Sequence, residues 1–327
     1  MVQVADAEAI LRAARRPLVI GMGGGGDVVG ALASAEFARL YDGAEPVVGG
    51  LSWERRPVDP VPGPRRVDEI EGAELVAPGV LLAGPSTRVR GREVYFAESR
   101  MAAFLDRRTL LVTIDDGPAA IADGLARALN ALRGDLLLLI DVGGDVLAQG
   151  DEAGLRSPLC DAIMLAAGSR LAAAGTPVLL GIFGIGCDAE LTVEEVLARI
   201  AEVAAAGGLC GARGLTDAVA DRLERSMELV PTEASAQAVR AFRGASGPVA
   251  IRGGARSFSL STVAALTFYL DAEVAFNTAG RLARAVASTG SLQAANEALG
   301  AIGVRTELDL ENDAAAHGER SGRQLRV

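Results

Sequence analysis

Short apolar runs recur along this chain, and glycine or aspartate ends or follows almost every one. They cover residues 17–22, 46–51, 78–84, 109–114, 136–140 and 177–183. Amphipathic stretches long enough to form helices, such as 119–133 and 193–206, lie between most of them. Continuously apolar strands are typical of a sheet covered on both faces, and strand–helix alternation is typical of parallel strands joined by right-handed crossovers. The pattern therefore predicts a Rossmann-like three-layer α/β fold with a mostly parallel sheet.

The last third of the chain follows a different pattern. Residues 215–300 contain mainly helix-like stretches, so we expect a more helical C-terminal part within a single α/β domain over 1–311. The sequence TELDLE at 306–311 predicts an edge strand, and the polar residues 312–327 predict a flexible tail. A short edge hairpin is predicted at 87–95.

The absence of lysine and the presence of a single histidine limit the chemistry that this chain can perform. All 32 basic residues are arginines, and the only histidine is His317. Without lysine there is no lysine Schiff base and no Walker-type phosphate loop. A single histidine in the polar C-terminal stretch argues against Ser-His-Asp catalysis and against a histidine-based zinc site. Acid–base and metal chemistry is left to carboxylates, hydroxyls, arginines and the three cysteines.

Charge and cysteine usage indicate the cellular setting. The net charge of −10 argues against nucleic acid as a partner, because phosphate neutralisation needs a basic surface. Cys160, Cys187 and Cys210 show no CxxC spacing, which is typical of buried thiols in a reducing compartment. No apolar run reaches membrane-spanning length. We expect a soluble cytoplasmic protein that binds no membrane, with a homodimer as the commonest assembly.

The first apolar run leads into a glycine turn. Gly23, Gly24, Gly25 and Gly26 are consecutive, and Asp27 and a helix-like segment follow them. Strand, glycine turn and helix form a layout that directs backbone N–H groups at a ligand. Gly21, Gly23 and Gly26 also match the dinucleotide-binding spacing GxGxxG, with Asp42 or Glu45 as the acidic residue about 20 positions later. A phosphate loop, a dinucleotide loop and a tight strand–helix crossing all remain open at this point.

Acidic residues follow four of the predicted strands. They are Asp27, the pair Asp115 and Asp116, the pair Asp141 and Asp145, and the pair Asp188 and Glu190. Because ligands bind at the carboxyl ends of parallel strands, we expect these side chains to converge. Converging carboxylates hold a divalent cation, share a proton or bind a polyol. Each also has a local alternative, namely a helix cap for Asp27 and turn or solvated loop positions for the others.

These considerations assign the candidate roles. We expect catalytic groups at Asp27, Asp141, Asp145 and Glu190, and contacts to a metal, Mg²⁺ being the favoured ion, at Asp27, Asp145 and Asp188. The ligand-binding candidates are Gly23, Gly24, Gly25, Gly26, Gly143, Gly144, Arg55 and Ser157.

Residues 52–66 stand apart in composition. The segment SWERRPVDPVPGPRR holds four prolines and four arginines, which excludes a helix or a central strand and predicts an ordered loop or a lid. Arg55 is the candidate clamp for an anionic group, since a guanidinium binds phosphate or carboxylate through paired donors. The alternative is a surface arginine paired with one of the many acids.

Three long motifs together resemble a known family. They are GMGGGGDVVGA, DVGGDVLAQGDEAGLRSPLCDAIMLAA and GIFGIGCDAELTVEEVL, in that order. In this combination the chain resembles a prokaryotic family catalogued as a domain of unknown function, DUF1152. The resemblance implies an α/β fold and a shared site, without an activity. The residues that it marks are Gly23 to Asp27, Asp141, Gly143, Gly144, Asp145, Glu152, Ser157, Asp161, Asp188 and Glu190.

Three functions fit the sequence. The first is an enzyme of hydrolase or lyase type, which acts on a small phosphorylated or polyhydroxylated metabolite through a carboxylate-rich site with a divalent metal. The second is a nucleotide-binding oxidoreductase or transferase that uses the glycine turn. The third is a protein that binds a small molecule, most simply an anionic one, without catalysis.

Overall fold

The computed structural model describes residues 6–56 and 58–324, with side chains through residue 317. The strands in chain order are β1 (Pro17–Gly21), β2 (Val47–Leu51), β3 (Ile70–Ala77), β4 (Val80–Val89), β5 (Thr109–Val112), β6 (Leu136–Val142), β7 (Val178–Phe183), β8 (Leu209–Gly214), β9 (Gly247–Ile251), β10 (Arg256–Leu260) and β11 (Leu266–Asp271). The α-helices are α1 (Ala7–Ala13), α2 (Asp27–Phe37), α3 (Ala97–Leu105), α4 (Gly117–Leu132), α5 (Pro158–Ala173), α6 (Val193–Ala205), α7 (Asp217–Met227), α8 (Glu233–Phe242), α9 (Ala272–Asn277), α10 (Arg281–Val286), α11 (Leu292–Ala301) and α12 (Glu307–Gln324).

Nine of these strands form one sheet in the order β3-β4-β5-β2-β1-β6-β7-β11-β8. The five strands from β5 to β7 in that order are parallel. The strands outside them, β4 and β3 at one edge and β11 and β8 at the other, pair antiparallel. Strands β9 and β10 form a separate antiparallel hairpin. The predicted Rossmann-like α/β fold with a mostly parallel sheet is confirmed.

Helices cover both faces of the sheet because the side chains of each central strand point alternately to the two sides. In β1, Leu18 and Ile20 pack into a core shared with α4 and α5, whereas Val19 packs into a core shared with α2 and α8. Every residue of β1, β6 and β7 is buried. The continuously apolar strands of the sequence are therefore the strands at the centre of the sheet.

The strand order reverses between β1 and β6. From β1 the chain continues to β2 and β5 on one side, and it later places β6 and β7 on the other. In open α/β sheets the crevice beyond the carboxyl ends of the strands at such a reversal is the usual ligand site. The glycine turn follows β1 and the Asp141–Asp145 segment follows β6, so both lie at this crevice.

Several local predictions need correction. A hairpin does form at one edge of the main sheet, but it consists of β3 and β4 and begins before the hairpin predicted at 87–95. Within the predicted segment, an isolated bridge joins Arg88 and Tyr95. Residues 266–271 form β11, which enters the main sheet although residues 215–300 were expected to be mainly helical.

The C-terminal segment also differs from its prediction. Residues 307–324 form the helix α12, where an edge strand and then a flexible tail were predicted. The rest of that predicted tail, residues 325–327, lies outside the described residues. Within the described part of the chain, no helix is long and apolar enough to cross a membrane.

Candidate functional site

A cavity of about 650 Å³ opens beyond the carboxyl ends of β1 and β6. Its lining comes from the glycine turn, the loop after β2, the ends of β6 and β7, the start of α5, the segment from the end of α7 to the start of α8, and Arg252. Of the candidate residues, those lining the cavity are Gly23, Gly24, Gly25, Gly26, Asp27, Arg55, Asp145, Ser157, Asp188 and Glu190.

The glycine turn forms one wall of this cavity. Gly24 and Gly25 have φ angles of +79° and +55°, a conformation that side chains disfavour, and a Cβ on Gly24 would lie 2.8 Å from the carbonyl oxygen of Trp53. No described residue accepts a hydrogen bond from the N–H groups of Gly24, Gly25 or Gly26. These amides, at the N-terminus of α2, are free to donate to an anionic group.

Asp27 closes the same turn, because its Oδ2 accepts a hydrogen bond of 3.0 Å from the N–H of Gly23. Burial raises the pKa of Asp27 to about 7, although the Gly23 N–H and the charge of Arg55 act in the opposite direction. Asp27 is the first residue of α2 and does not cap the helix as the local alternative predicted; its side chain binds the preceding turn and lines the cavity.

The end of β6 supplies two more carboxylates. Asp141 is within the strand, and Asp145 follows after Gly143 and Gly144, whose φ angles are +131° and +113°. A Cβ on Gly143 would lie 2.3 Å from the carboxyl carbon of Asp188. Only glycine therefore lets the chain reverse here and bring Asp145 back towards the sheet beside Asp188.

The remaining acids come from the start of α5 and the loop after β7. Asp161 is in the first turn of α5. Asp188 and Glu190 follow β7, where the N–H of Gly186 donates to the Gly143 carbonyl oxygen at 2.7 Å and ties the two loops together. We refer to the five residues Asp141, Asp145, Asp161, Asp188 and Glu190 as the carboxylate cluster.

The carboxylate cluster is buried and has few internal partners. Its members are 1–7% exposed. One oxygen of each of Asp141, Asp161 and Asp188 has no hydrogen-bond partner among the described residues. Ligand oxygens of Asp141, Asp145 and Asp161 lie within 4.8 Å of one another, and so do those of Asp145, Asp188 and Glu190. Buried carboxylates without partners need either protons or a cation.

Burial and mutual repulsion raise the pKa values of the four aspartates in this cluster. Burial, followed by the charge of Asp27, raises the pKa of Asp141 to about 7. Burial raises the pKa of Asp145 well above its usual range, and the charges of Asp161 and Glu190 add to the effect. The pKa values of Asp161 and Asp188 rise in the same direction, again mainly through burial. A divalent cation would remove this penalty by replacing the protons.

Residues 52–56 and 58–66 form an ordered loop that is anchored to α12. Trp53 is fully buried and donates its indole N–H to Glu311 at 3.0 Å, and the N–H of Gly63 donates to the same carboxylate at 2.9 Å. Arg55 stacks 4.2 Å above the Trp53 ring and donates to the Gly23 carbonyl oxygen and to Glu307. Arg55 lines the cavity, and its Nη2 holds the glycine turn, whereas its Nη1 is buried without a hydrogen-bond partner among the described residues.

Other candidate acids lie elsewhere. Asp115 and Asp116 follow β5, outside the crevice, and do not line the cavity. Asp42 pairs with Arg213 at 2.6 Å and, like the exposed Glu45, precedes β2, so neither is at the carboxyl end of that strand. Glu152, which the resemblance marks, accepts hydrogen bonds from the N–H groups of Gln149 and Gly150 and shapes its own turn.

Two acids were not assigned to the site from the sequence. Asp161 was marked only by the resemblance; the Ser157–Pro158 helix start just before it was the available local signal. Glu54 was seen only as part of a possible lid, yet it follows β2 and lines the cavity.

Glu98, in the first turn of α3, is fully buried, and neither of its carboxylate oxygens has a partner among the described residues. Burial and the charge of Glu54 raise its pKa well above the usual range.

The model of the family described as "Protein of unknown function (DUF1152)" matches residues 18–315. The chain belongs to this family. No curated protein and no solved structure matches the chain. In this DUF1152 protein the matched range contains the glycine turn, the carboxylate cluster and the start of α12. The predicted family is confirmed, and its description carries no activity.

Proposed function

We propose that this protein is an enzyme that acts on a small phosphorylated or polyhydroxylated metabolite with a divalent cation, by hydrolase- or lyase-type chemistry. One observation carries the proposal. Asp141 and Asp161 each have a buried oxygen without a hydrogen-bond partner among the described residues, and both belong with Asp145 to a group of three carboxylates whose ligand atoms lie within 4.8 Å of one another. Carboxylate oxygens are the ligands that Mg²⁺ and Ca²⁺ prefer.

The surrounding groups suit an anionic substrate. The free amides of Gly24, Gly25 and Gly26 would bind its negative group at the N-terminus of α2. A cation held by Asp145 would polarise a substrate oxygen or lower the pKa of a bound water. Asp27, with a pKa of about 7, would exchange a proton with the substrate near neutral pH.

Asp145→Asn tests this proposal, with Asp151→Asn as the matched control. Asp151 is an exposed loop residue that does not line the cavity. We expect Mg²⁺ or Mn²⁺ to raise the melting temperature of the wild type and of Asp151→Asn, and to bind Asp145→Asn at least about tenfold more weakly. The same thermal-shift screen, crossed with phosphorylated metabolites and followed by product analysis, identifies the substrate class.

Two results of this screen would contradict the proposal. Equal cation affinity and turnover in wild type and Asp145→Asn would remove Asp145 from the site. A metabolite that stabilises the fold but is never converted would support the third function, binding without catalysis.

A nucleotide-binding oxidoreductase or transferase is the second candidate, because Glu54 lies three residues beyond the end of β2 and lines the cavity. In dinucleotide-binding folds an acid in this region binds the ribose hydroxyls. Titration with NAD(P), ATP and S-adenosylmethionine tests this function, and the absence of binding to all of them would eliminate it.

The proposal also includes a cytoplasmic location and a homodimeric assembly. The three cysteines are free and buried, which suits a reducing cytoplasm. A homodimer is proposed on general grounds, since two-fold dimers are the commonest assembly. Light scattering coupled to size exclusion measures the assembly directly.

A further inference from the structure

The carboxylate cluster consists of two groups that share one residue. Asp145 belongs both to the group with Asp141 and Asp161 and to the group with Asp188 and Glu190, and in each group the ligand atoms lie within 4.8 Å of one another. A carboxylate has two oxygens and can bind two cations at once. In enzymes with two metal ions, the ions are about 3.5–4 Å apart and share such bridging ligands.

The group with Asp141 and Asp161 offers a strong cation position. These two residues are 1% and 2% exposed, and each has an oxygen without a hydrogen-bond partner among the described residues. Within the described ranges, no arginine forms an ion pair with either residue or with Asp145. The negative charge of this group is therefore not neutralised by a direct ion pair, although the charge of Arg55 acts on Asp161.

The group with Asp188 and Glu190 is different, because Glu190 is fully engaged. Its carboxylate accepts hydrogen bonds from the N–H groups of Arg156 and Ser157, from the Ser157 hydroxyl at 2.7 Å, and from Arg256 at 3.0 Å. Arg256 also donates to the carbonyl oxygen of Asp188 at 3.2 Å. A guanidinium at this position opposes a second cation through its charge.

Asp188 nevertheless retains a ligand oxygen. Its Oδ2 has no partner in the described part of the chain, the residue is 7% exposed, and it lines the cavity. Arg256 is on the hairpin β9–β10, which is separate from the main sheet. The second cation position therefore has Asp188 as a free ligand and Asp145 as a bridging ligand. The charge that opposes a cation there is that of Arg256, on a separate hairpin.

We propose that Asp145 bridges two divalent cations, a tightly bound one at Asp141 and Asp161 and a weaker one at Asp188 that the guanidinium of Arg256 opposes. This inference rests on the proposed function, and it narrows the substrate to a phosphate ester. Two cations bridged by one carboxylate would bind the oxygens of one phosphoryl group. The free amides of the glycine turn would bind the remaining negative charge of that group.

Mn²⁺ titration of the full chain tests the proposal by calorimetry and by electron paramagnetic resonance. For the wild type we expect a first Mn²⁺ to bind tightly and a second to bind more weakly. Loss of the opposing charge in Arg256→Met should tighten the second event about tenfold. The control is Arg108→Met, since Arg108 is exposed, pairs with Glu74 and does not line the cavity. Both Mn²⁺ affinities of this control variant should match those of the wild type.

Variants of the acids assign the two positions. Asp161→Asn should weaken the first event only, Asp188→Asn the second only, and Asp145→Asn both. With two Mn²⁺ bound, the resonance spectrum should show the exchange coupling of bridged ions rather than two isolated signals. Inorganic phosphate should tighten the second event in the wild type.

The possible failures are distinguishable. A single Mn²⁺ per chain in wild type, Arg256→Met and Arg108→Met, each folded by circular dichroism, would overturn the second site and leave a one-cation enzyme intact. Two Mn²⁺ without exchange coupling would overturn the bridging role of Asp145. No Mn²⁺ binding in any variant would overturn both this inference and the cation in the proposed function.

Discussion

At the scale of single residues, close packing around the carboxylates leaves no room for side chains at the turns. Gly143 is the clearest case, because it combines a φ angle of +131° with a close approach to the Asp188 carboxylate. A residue with a Cβ at this position would be strained and would also displace a proposed cation ligand.

Gly143→Ala is therefore expected to lower stability by about 1–3 kcal/mol and to weaken the second Mn²⁺ event. Gly175→Ala is the control, since Gly175 has a φ angle of +88° but nothing in the described structure lies within 4 Å of the position that a Cβ would take. Urea unfolding and Mn²⁺ titration of the two variants separate backbone strain from contact with Asp188. Equal Mn²⁺ affinity in the two variants would show that Asp188 does not contribute to cation binding.

At the scale of elements, α12 joins parts of the chain that are distant in sequence. The Glu307 carboxylate accepts hydrogen bonds of 3.0 Å from the N–H groups of Leu159 and Cys160, at the start of α5. A carboxylate at a helix N-terminus satisfies free N–H groups and interacts favourably with the helix dipole. Glu307 thereby supports the turn of α5 that carries Asp161.

Glu307→Gln should cost about 1–2 kcal/mol of stability, because an amide keeps one acceptor but places an NH₂ group against the other N–H donor. It should also weaken the first Mn²⁺ event, by loosening Asp161. Asp313→Asn, at an exposed position of the same helix, is the control. Denaturant unfolding measures the first effect and calorimetry the second; a variant as stable as the control would mean that α12 does not support α5.

At the scale of the whole molecule, the buried carboxylates make stability depend on pH. The pKa of Asp141 rises from 3.8 to about 7 on folding, and that of Glu98 rises well above 4.5. A folded-state pKa above the unfolded value means that the folded state binds protons more tightly. The resulting stability is complete below the unfolded pKa and is lost as the pH rises through the folded pKa.

The cation-free protein should therefore lose stability between about pH 4 and pH 8, on the order of 4 kcal/mol for Asp141 alone. Mg²⁺ should restore more stability at pH 8 than at pH 5.5, because it competes with protons for the same oxygens. Melting temperatures with chelator and with Mg²⁺ check this, and Asp141→Asn should flatten the slope. A cation-free melting temperature that does not fall above pH 5 would contradict the expectation.

Much of the architecture follows from local sequence. Strands β1, β6 and β7 are apolar at every position that the sheet buries, except for Asp141 near the end of β6. Thr192 and Glu195, three residues apart, form a capping box at the start of α6. The glycine turn and the acids after β6 and β7 were placed at one sheet edge by the rule for parallel strands alone. These features depend on neighbours in the chain, so the sequence by itself determined them.

Tertiary structure decided which acids share the cavity. Asp115 and Asp116 also end a parallel strand, but β5 lies two strands away from β1, and strand order is not encoded in any local pattern. Asp161 joins the cluster because α5 begins at the crevice, and the polar residues of α12 form a helix that places Glu307 and Glu311 against buried donors. Such contacts join residues more than a hundred positions apart, so their energies appear only when the chain has folded.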